Sequence, residues 1–416
     1  MAILAACDAS SIPGNIEPRA DTAAADPFAA SCLQDMGPLD LQKATILDLQ
    51  AAFDHRQLTS EQLVQKNLAA IAAFDTGGPA LNSMRALAPG ALDQARAADR
   101  ELTAGRRASL LQGITVVLKD NVGTTDLPTT AGSIALADNI PRNEAFITQR
   151  LRAAGAVVLG KANLSEFAYW TDIRAPSGYS SLGGQVIAPY DFAADPLGSS
   201  TGSAVAATTG LSVVAVGTET SGSIISPSTV QSLVGIKPTL GLVSRSGILP
   251  LSHSFDTAGP IARNVTDAAI LLSVLAGVDP TDDASPRFVA ALNGEVPDYL
   301  GALSDQALQG ARLGVRSVTL LGSDSALFQD ALEALRAQGA EIVMLNEAES
   351  LLSLPATTEL GAILNEFKLN LNQYLATEAN PDLPVHTLAD IIAYNDQHPD
   401  KMKYGQTLLI ASNAQT

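Results

Sequence analysis

The sequence predicts an α/β fold, a sheet with helices packed on its faces. Three observations predict it. Short β-forming runs alternate with helical patterns along much of the 416 residues. Hydrophobic residues make up 46% and charged residues only 16%, against about 25% charged in an ordinary soluble domain, so the chain can bury a large core. One long charge-poor segment also reads as buried rather than as loop. By length, two or three domains fit, and so does one large α/β domain. No internal repeat is present.

Taken in order, a helical pattern begins near Leu39, with Leu41, Ile46, Leu47, Leu49 and Phe53 close to helical spacing. A second starts at a Thr59-Ser60-Glu61 capping region and carries Leu63, Leu68, Ile71 and Phe74. An Ala-rich charged helix is expected between Pro89 and Ala104. The run Ile114-Thr-Val-Val-Leu118 is an apolar strand that ends at Lys119-Asp120. After a Thr/Gly/Pro loop, a helix over Glu144–Ala154 precedes the strand Ala156-Val-Val-Leu159. Leu211–Val216 and Leu233–Ile236 read as strands, and Thr266–Ala276 as an apolar helix. Residues 311–345 read as strand, helix, strand.

Composition excludes several functions. Asp and Glu number 43 against 25 Lys and Arg, a net charge of −18, which repels phosphate backbones, and no basic stripe offsets it. Nucleic acid is therefore not an expected partner. Two cysteines, Cys7 and Cys32, are too few for a disulfide framework or a tetrahedral zinc site, and whether they pair is left open. The four histidines (His55, His253, His386, His398) contain no H-x-x-x-H pair, so metal catalysis has no sequence support.

At the N-terminus, Leu4-Ala5-Ala6-Cys7 looks like the lipid-attachment box of a bacterial lipoprotein signal. No charged n-region or full apolar h-region precedes it, so an extracytoplasmic and a cytoplasmic location both stay open. From Asp8 to about Gly37 the chain is rich in Ala, Pro, Asp and Ser and reads as a tether.

Between Asp195 and Lys237 lie 41 residues with a single charge, Glu219, together with nine Ser, six Thr and six Gly. The 21-residue uncharged run Gly198–Thr218 is long enough to span a bilayer, but its Ser, Thr and Gly content argues against a membrane helix. A buried, hydroxyl-rich segment is the better reading. Buried hydroxyls need partners, so the segment is a structural network or an active site.

Two motifs there and nearby are decoys. Gly155-Ala-Val-Val-Leu-Gly160-Lys161-Ala162 nearly matches a phosphate-binding loop, but its spacer is β-forming and Ala162 has no hydroxyl for magnesium. Gly198-Ser199-Ser200-Thr201-Gly202 matches the nucleophile elbow of an α/β-hydrolase, yet Asp191–Leu197 makes a poor preceding strand. An esterase using Ser200 and a histidine stays as the second reading.

A third arrangement needs no histidine. A serine nucleophile can be activated by a lysine held neutral. Lys119 closes an apolar strand, where burial lowers its pKa towards that of a working base. Ser199 opens the first hydroxyl cluster, and Ser223 closes Gly217-Thr-Glu-Thr-Ser-Gly-Ser223, a turn after a strand. Backbone N–H groups around Gly222 and Ser223 can converge there on an oxyanion. Singly, each residue has a plainer role: a snorkelling lysine, a helix cap, a turn serine.

The spans Gly113–Asn121, Gly198–Ala204 and Gly217–Arg245 resemble the amidase signature family. The resemblance runs from about Leu39 to the end of the chain. It implies one large domain with a mixed, largely parallel central sheet covered by helices, and a Lys–cisSer–Ser triad without cofactor. Lys119 matches the catalytic lysine, Ser199 the bridging serine and Ser223 the nucleophile. Thr220, Ser221 and Gly222, with Ser223 itself, match the oxyanion loop. In the family the bridging serine sits at a cis Ser–Ser peptide, expected here at Ser199–Ser200. Ser200 and Ser133 are candidate supports of the relay, more plainly structural. Asp120 is expected to point away from the lysine.

Gly241-Leu-Val-Ser-Arg-Ser-Gly-Ile and Asp256-Thr-Ala-Gly-Pro260 look most like bacterial peptide amidases, which remove the amide of C-terminally amidated peptides. The resemblance thus implies an amide hydrolase, acting on a peptide amide, an aryl amide or a carbamate, as a monomer or homodimer. Two departures stand out. Ile225 replaces the arginine of the common Gly-Gly-Ser-Ile-Arg, which weakens a reading as an amidotransferase component. The chain also ends at Thr416, short of the family's usual C-terminal section. The expected organisation is a leader over 1–38 and the amidase domain over 39–416. A non-catalytic or amidotransferase-like subunit with the same fold is the third reading.

Overall fold

The computed structural model describes residues 40–291, 295–316, 323–345 and 356–415. The expected leader, with its Leu4-Ala5-Ala6-Cys7 box and both cysteines, lies outside the described residues. In chain order the described strands are β1 (Met84–Leu87), β2 (Thr115–Lys119), β3 (Val157–Ala162), β4 (Tyr179–Ser180) and β5 (Gly184–Gln185). They continue with β6 (Val214–Glu219), β7 (Val234–Gly235), β8 (Thr257–Ala262), β9 (Arg312–Arg316) and β10 (Glu341–Leu345).

Six of these form the central sheet, in the order β1-β3-β2-β6-β8-β7. Its centre, β3-β2-β6, is parallel, and β1, β8 and β7 attach antiparallel to their neighbours. The sheet is mixed, as the sequence predicts, and four of its six strands (β2, β3, β6, β7) run one way. A parallel centre needs both faces covered, which is why β2 reads as an unbroken apolar run. Every residue of β2, β3, β6 and β8 is buried.

Alternation along β2 divides the core. Val116 and Leu118 pack into the cluster beneath helices Ile46–Asp54 and Val265–Leu275. Val117 faces the opposite cluster, which holds Ala204, Ala206 and Ala207 of helix Thr201–Thr208. Lys119 follows Val117 onto that second face. A bulge shifts β3, so that Leu118 is level with Lys161 and Lys119 with Ala162. The two buried lysines are thereby set on opposite faces.

The expected elements are present with moved ends. The first helix starts at Ile46 rather than near Leu39, because Thr45 and Asp48 form a reciprocal capping box there. Thr59 and Gln62 do the same for helix Ser60–Ala70. The near-match to a phosphate loop is instead β3 and the turn before it. Gly160 is required by packing, since a Cβ there would meet the Ala86 carbonyl of β1 at 2.2 Å. Strand β8 contains Gly259 and Pro260, which hide it from propensity reasoning.

The C-terminal helices Ala356–Thr377, Leu388–Asp396 and Thr407–Asn413 were not foreseen. Phe367, Leu371, Leu388, Ile391 and Leu409 bury a third cluster against Ala131, Leu136, Phe167 and Trp170. Trp170 Nε1 donates to Ser412 Oγ at 2.9 Å, tying the last helix to the turn after β3.

Candidate active site

Lys119 is the last residue of β2 and is fully buried. Its Nζ lies 2.7 Å from Ser199 Oγ and 3.0 Å from the carbonyl oxygen of Thr218. Burial pushes the lysine down to about 7, against the opposing pull of Asp256 and then Glu219. An ammonium has three protons to place, and the described residues offer two partners. A neutral amine fits the same surroundings, donating to Thr218 and accepting from the Ser199 hydroxyl.

Asp120 is turned away from Lys119, as expected. It pairs with Arg85 Nε at 2.6 Å and lies 3.7 Å from Lys161 Nζ, both on the other side of the sheet. Lys161 also donates to the carbonyl of Val122 at 2.5 Å and to Thr129 Oγ1 at 2.7 Å.

Ser199 is fully buried at the entrance to helix Thr201–Thr208. A cis peptide is present here, but at Gly198–Ser199, one bond before the expected Ser199–Ser200. Ser200 is the N-cap of the helix, and its N–H donates to the Ser223 carbonyl at 3.0 Å. That backbone bond also joins the two serine-bearing segments. Ser199 Oγ and Ser223 Oγ make no hydrogen bond to one another, so contact is direct for Lys119 with Ser199 and not for Ser199 with Ser223. Catalytic hydrogen bonds are often long in a free enzyme and tighten with substrate.

Ser223 sits in the turn between β6 and helix Ile225–Val230 and is 6% exposed. Its hydroxyl makes no hydrogen bond among the described residues. Nor do the backbone N–H groups of Thr220, Ser221, Gly222 and Ser223, the predicted oxyanion loop. Four successive unspent donors beside a hydroxyl make a site for developing negative charge. Gly222 has φ +80°, a turn conformation that a side chain would strain.

The loop is held from both ends. Glu219 Oε2 accepts the N–H groups of Ile224 at 2.7 Å and Ile225 at 2.9 Å. Thr220 Oγ1 donates to Asp256 Oδ1 at 2.5 Å. Asp256 Oδ2 in turn accepts from the N–H groups of Leu251 at 2.7 Å and Ser252 at 2.9 Å. Neither acid was a sequence candidate. Glu219 carried a usable signal, being the one charge in a segment read as buried, and a buried charge must be partnered. Asp256 carried none beyond its motif.

The two supporting candidates fare differently. Ser200 is buried, donating to the Thr218 carbonyl at 3.0 Å and accepting the Thr218 N–H at 3.2 Å, so it braces the carbonyl that Lys119 also uses. Ser133 accepts from the Ala135 N–H at 3.3 Å, capping a short 3-10 turn. It makes no hydrogen bond to Lys119, Ser199 or Ser223. The elbow reading finds no support: residues 191–197 form no strand, and no histidine is hydrogen-bonded to Ser200. His55 and His398 instead bond the carbonyls of Ala51 and Tyr394 at 2.8 and 2.7 Å.

Among the described residues no three His, Cys, Asp or Glu are grouped to hold a metal ion. No helix among them is long and apolar enough to cross a membrane.

A buried lysine, two serines and a donor-rich turn are thus gathered at one edge of this sheet. The amidase family profile matches residues 62–403. A protein of Arabidopsis thaliana named "Probable amidase" is 39% identical over 397 residues, 93% of this chain and 75% of that protein. A glutamyl-tRNA(Gln) amidotransferase component from Synechococcus elongatus is 39% identical over 333 residues, 80% of this chain and 66% of that one. The solved native peptide amidase of Stenotrophomonas maltophilia superposes with a TM-score of 0.84 at 42% identity, covering 90% of this chain and 76% of that one. The chain belongs to the amidase (amidase signature) family, and it is an amide hydrolase.

Proposed function

We propose that the protein hydrolyses a carboxamide through an acyl-Ser223 ester, with Lys119 as the base and Ser199 as the proton relay between them. The contact that supports this reading most is the 2.7 Å approach of Lys119 Nζ to Ser199 Oγ, made by a lysine that burial brings down to about 7. As Ser223 Oγ bonds to the amide carbon, its proton passes to Ser199, whose own proton passes to Lys119. The carbonyl oxygen gains charge facing the N–H groups of residues 220–223. Removing one such donor typically costs about 3 kcal/mol of transition-state stabilisation. The C–N bond then breaks as Lys119 returns the proton through Ser199 to the leaving nitrogen. Water, deprotonated by the same relay, releases the acid and restores Ser223.

The substrate class proposed is the C-terminal amide of a peptide, from the likeness to the Stenotrophomonas peptide amidase, with aryl amides and carbamates as the alternatives. Ile225 stands where the amidotransferase pattern has arginine, which counts against that role despite the Synechococcus relative. The leader over 1–38 is proposed as a tether and 39–416 as the catalytic domain. Incubation with a peptide amide, an aryl amide and an aryl carbamate tests the substrate. Stoichiometric release of ammonia and free acid from the peptide amide supports the proposal, and turnover of the carbamate alone overturns it.

A further inference from the structure

Asp256 stands outside the relay, hydrogen-bonded to the first residue of the oxyanion loop and acting on Lys119 only through its charge. It lies just before β8 and shares a small cavity with Asn121, Thr218, Thr220 and His253. One carboxylate oxygen holds Thr220, the first residue of the oxyanion loop, and the other is fixed by two backbone N–H groups. The carboxylate therefore has one position. Its charge also bears on Lys119 more strongly than any other, ahead of Glu219.

We infer that Asp256 is a positioning residue of the hydrolytic centre, fixing the head of the oxyanion loop through Thr220. The inference rests on Lys119 being the base. Two separable effects of one carboxylate follow. The hydrogen bond governs how well the loop meets the oxyanion, and so kcat. The charge governs the pH at which Lys119 becomes neutral, and so the acidic limb of the pH profile. A residue that only stabilised the fold would move neither once the protein is folded.

The other ionisable groups facing this region are Glu219 from β6 and, around the cavity, Arg245, His253 and Glu366. Arg245 is engaged by Asp282 and Asp283, and Glu366 by Ser252 and Ser254. Near neutrality the groups here able to produce a limb besides Lys119 are His253 and Asp256 itself, whose carboxyl burial pushes up to about 6. Burial and Arg245 lower His253 below its ordinary value.

The test is the pH dependence of kcat and of kcat/KM of the whole protein on an uncharged primary amide, from pH 5 to 9. Asp256→Asn keeps an acceptor for Leu251 and Ser252 and removes the charge. Its acidic limb is expected to move to lower pH by about one unit. Thr220→Val is expected to lower kcat about tenfold or more with the limb in place. His253→Gln is expected to leave both unchanged. If Asp256→Asn does not fold, Asp256→Glu keeps the charge and displaces the carboxylate, so kcat should fall while the limb stays. An undiminished kcat in Thr220→Val, an unmoved or lost limb in folded Asp256→Asn, a moved one in Asp256→Glu, or loss of the limb in His253→Gln overturns the inference. A wild-type profile with no acidic limb contradicts Lys119 as the base, a different failure.

Discussion

The carbonyl oxygen of Thr218 accepts hydrogen bonds from both Lys119 Nζ and Ser200 Oγ, each at 3.0 Å. One backbone atom at the end of β6 thus aligns the end of β2 and the head of helix Thr201–Thr208. The geometry follows from the sheet. Parallel neighbours β2 and β6 pair Leu118 with Val216, so Lys119 at the end of β2 lies beside the end of β6, which carries Thr218.

The first consequence concerns pH. Lys119 titrates at about 7 in the folded protein and at its ordinary 10.5 when unfolded. Activity that needs the neutral amine should fall as pH drops through about 7. Between these values the unfolded chain binds the extra proton, so the lysine's cost to stability is full below about 7 and disappears towards 10.5. Lys119→Met should lower kcat by about 10⁴-fold or more. It should also melt higher than wild type at pH 6, with the gain shrinking by pH 10, as followed by circular dichroism.

Ser200 discriminates between the hydrolytic readings. Ser200→Ala strips the Thr218 N–H and carbonyl of one partner each, at a cost of about 1–3 kcal/mol in denaturant unfolding. Measurable amide hydrolysis should survive. A nucleophilic Ser200 would instead lose all turnover in this variant.

Glu219 should act on the loop as much as on the fold. Glu219→Ala leaves the N–H groups of Ile224 and Ile225 without their acceptor, costing about 1.5–3 kcal/mol for each bond to a charged group. Because the same bonds shape residues 220–223, kcat should fall about 100-fold with KM less affected. Steady-state kinetics on the folded fraction would show it.

Asp120 is predicted to matter for stability and not for chemistry. Burial pushes its carboxyl up, and Lys161 and Arg85 oppose that; burial also brings Lys161 down to about 8. Asp120→Asn leaves two cations without their counter-charge and should cost about 3–5 kcal/mol in urea unfolding. Activity per folded molecule should stay near wild type.

Much of this was legible in the sequence, for identifiable reasons. Lys119 closes an apolar run, and Ser199 and Ser223 lie where hydroxyls crowd a charge-poor segment, but each alone has a plainer role, and it is the resemblance of the three spans to the amidase signature that joins them. Thr59 and its capping box were readable from local chemistry alone. Strand β8 was not, since Gly259 and Pro260 contradict strand propensity and only the antiparallel ladder to β6 makes it one. The cis bond lies one residue before the expected Ser199–Ser200, because the motif points to the pair of serines and not to the bond that precedes them. Asp256 was out of reach because its partners Thr220, Leu251 and Ser252 are brought to it only by the fold.

Covalent labelling tests the central claim most directly. The folded protein, treated with a fluorophosphonate and digested for peptide mass mapping, should carry one phosphonyl group on Ser223. Lys119→Met should label far more slowly, and Ser223→Ala should not label at that peptide. A label on Ser199, Ser200 or any other serine, or none under conditions where amide turnover is measurable, would contradict the account.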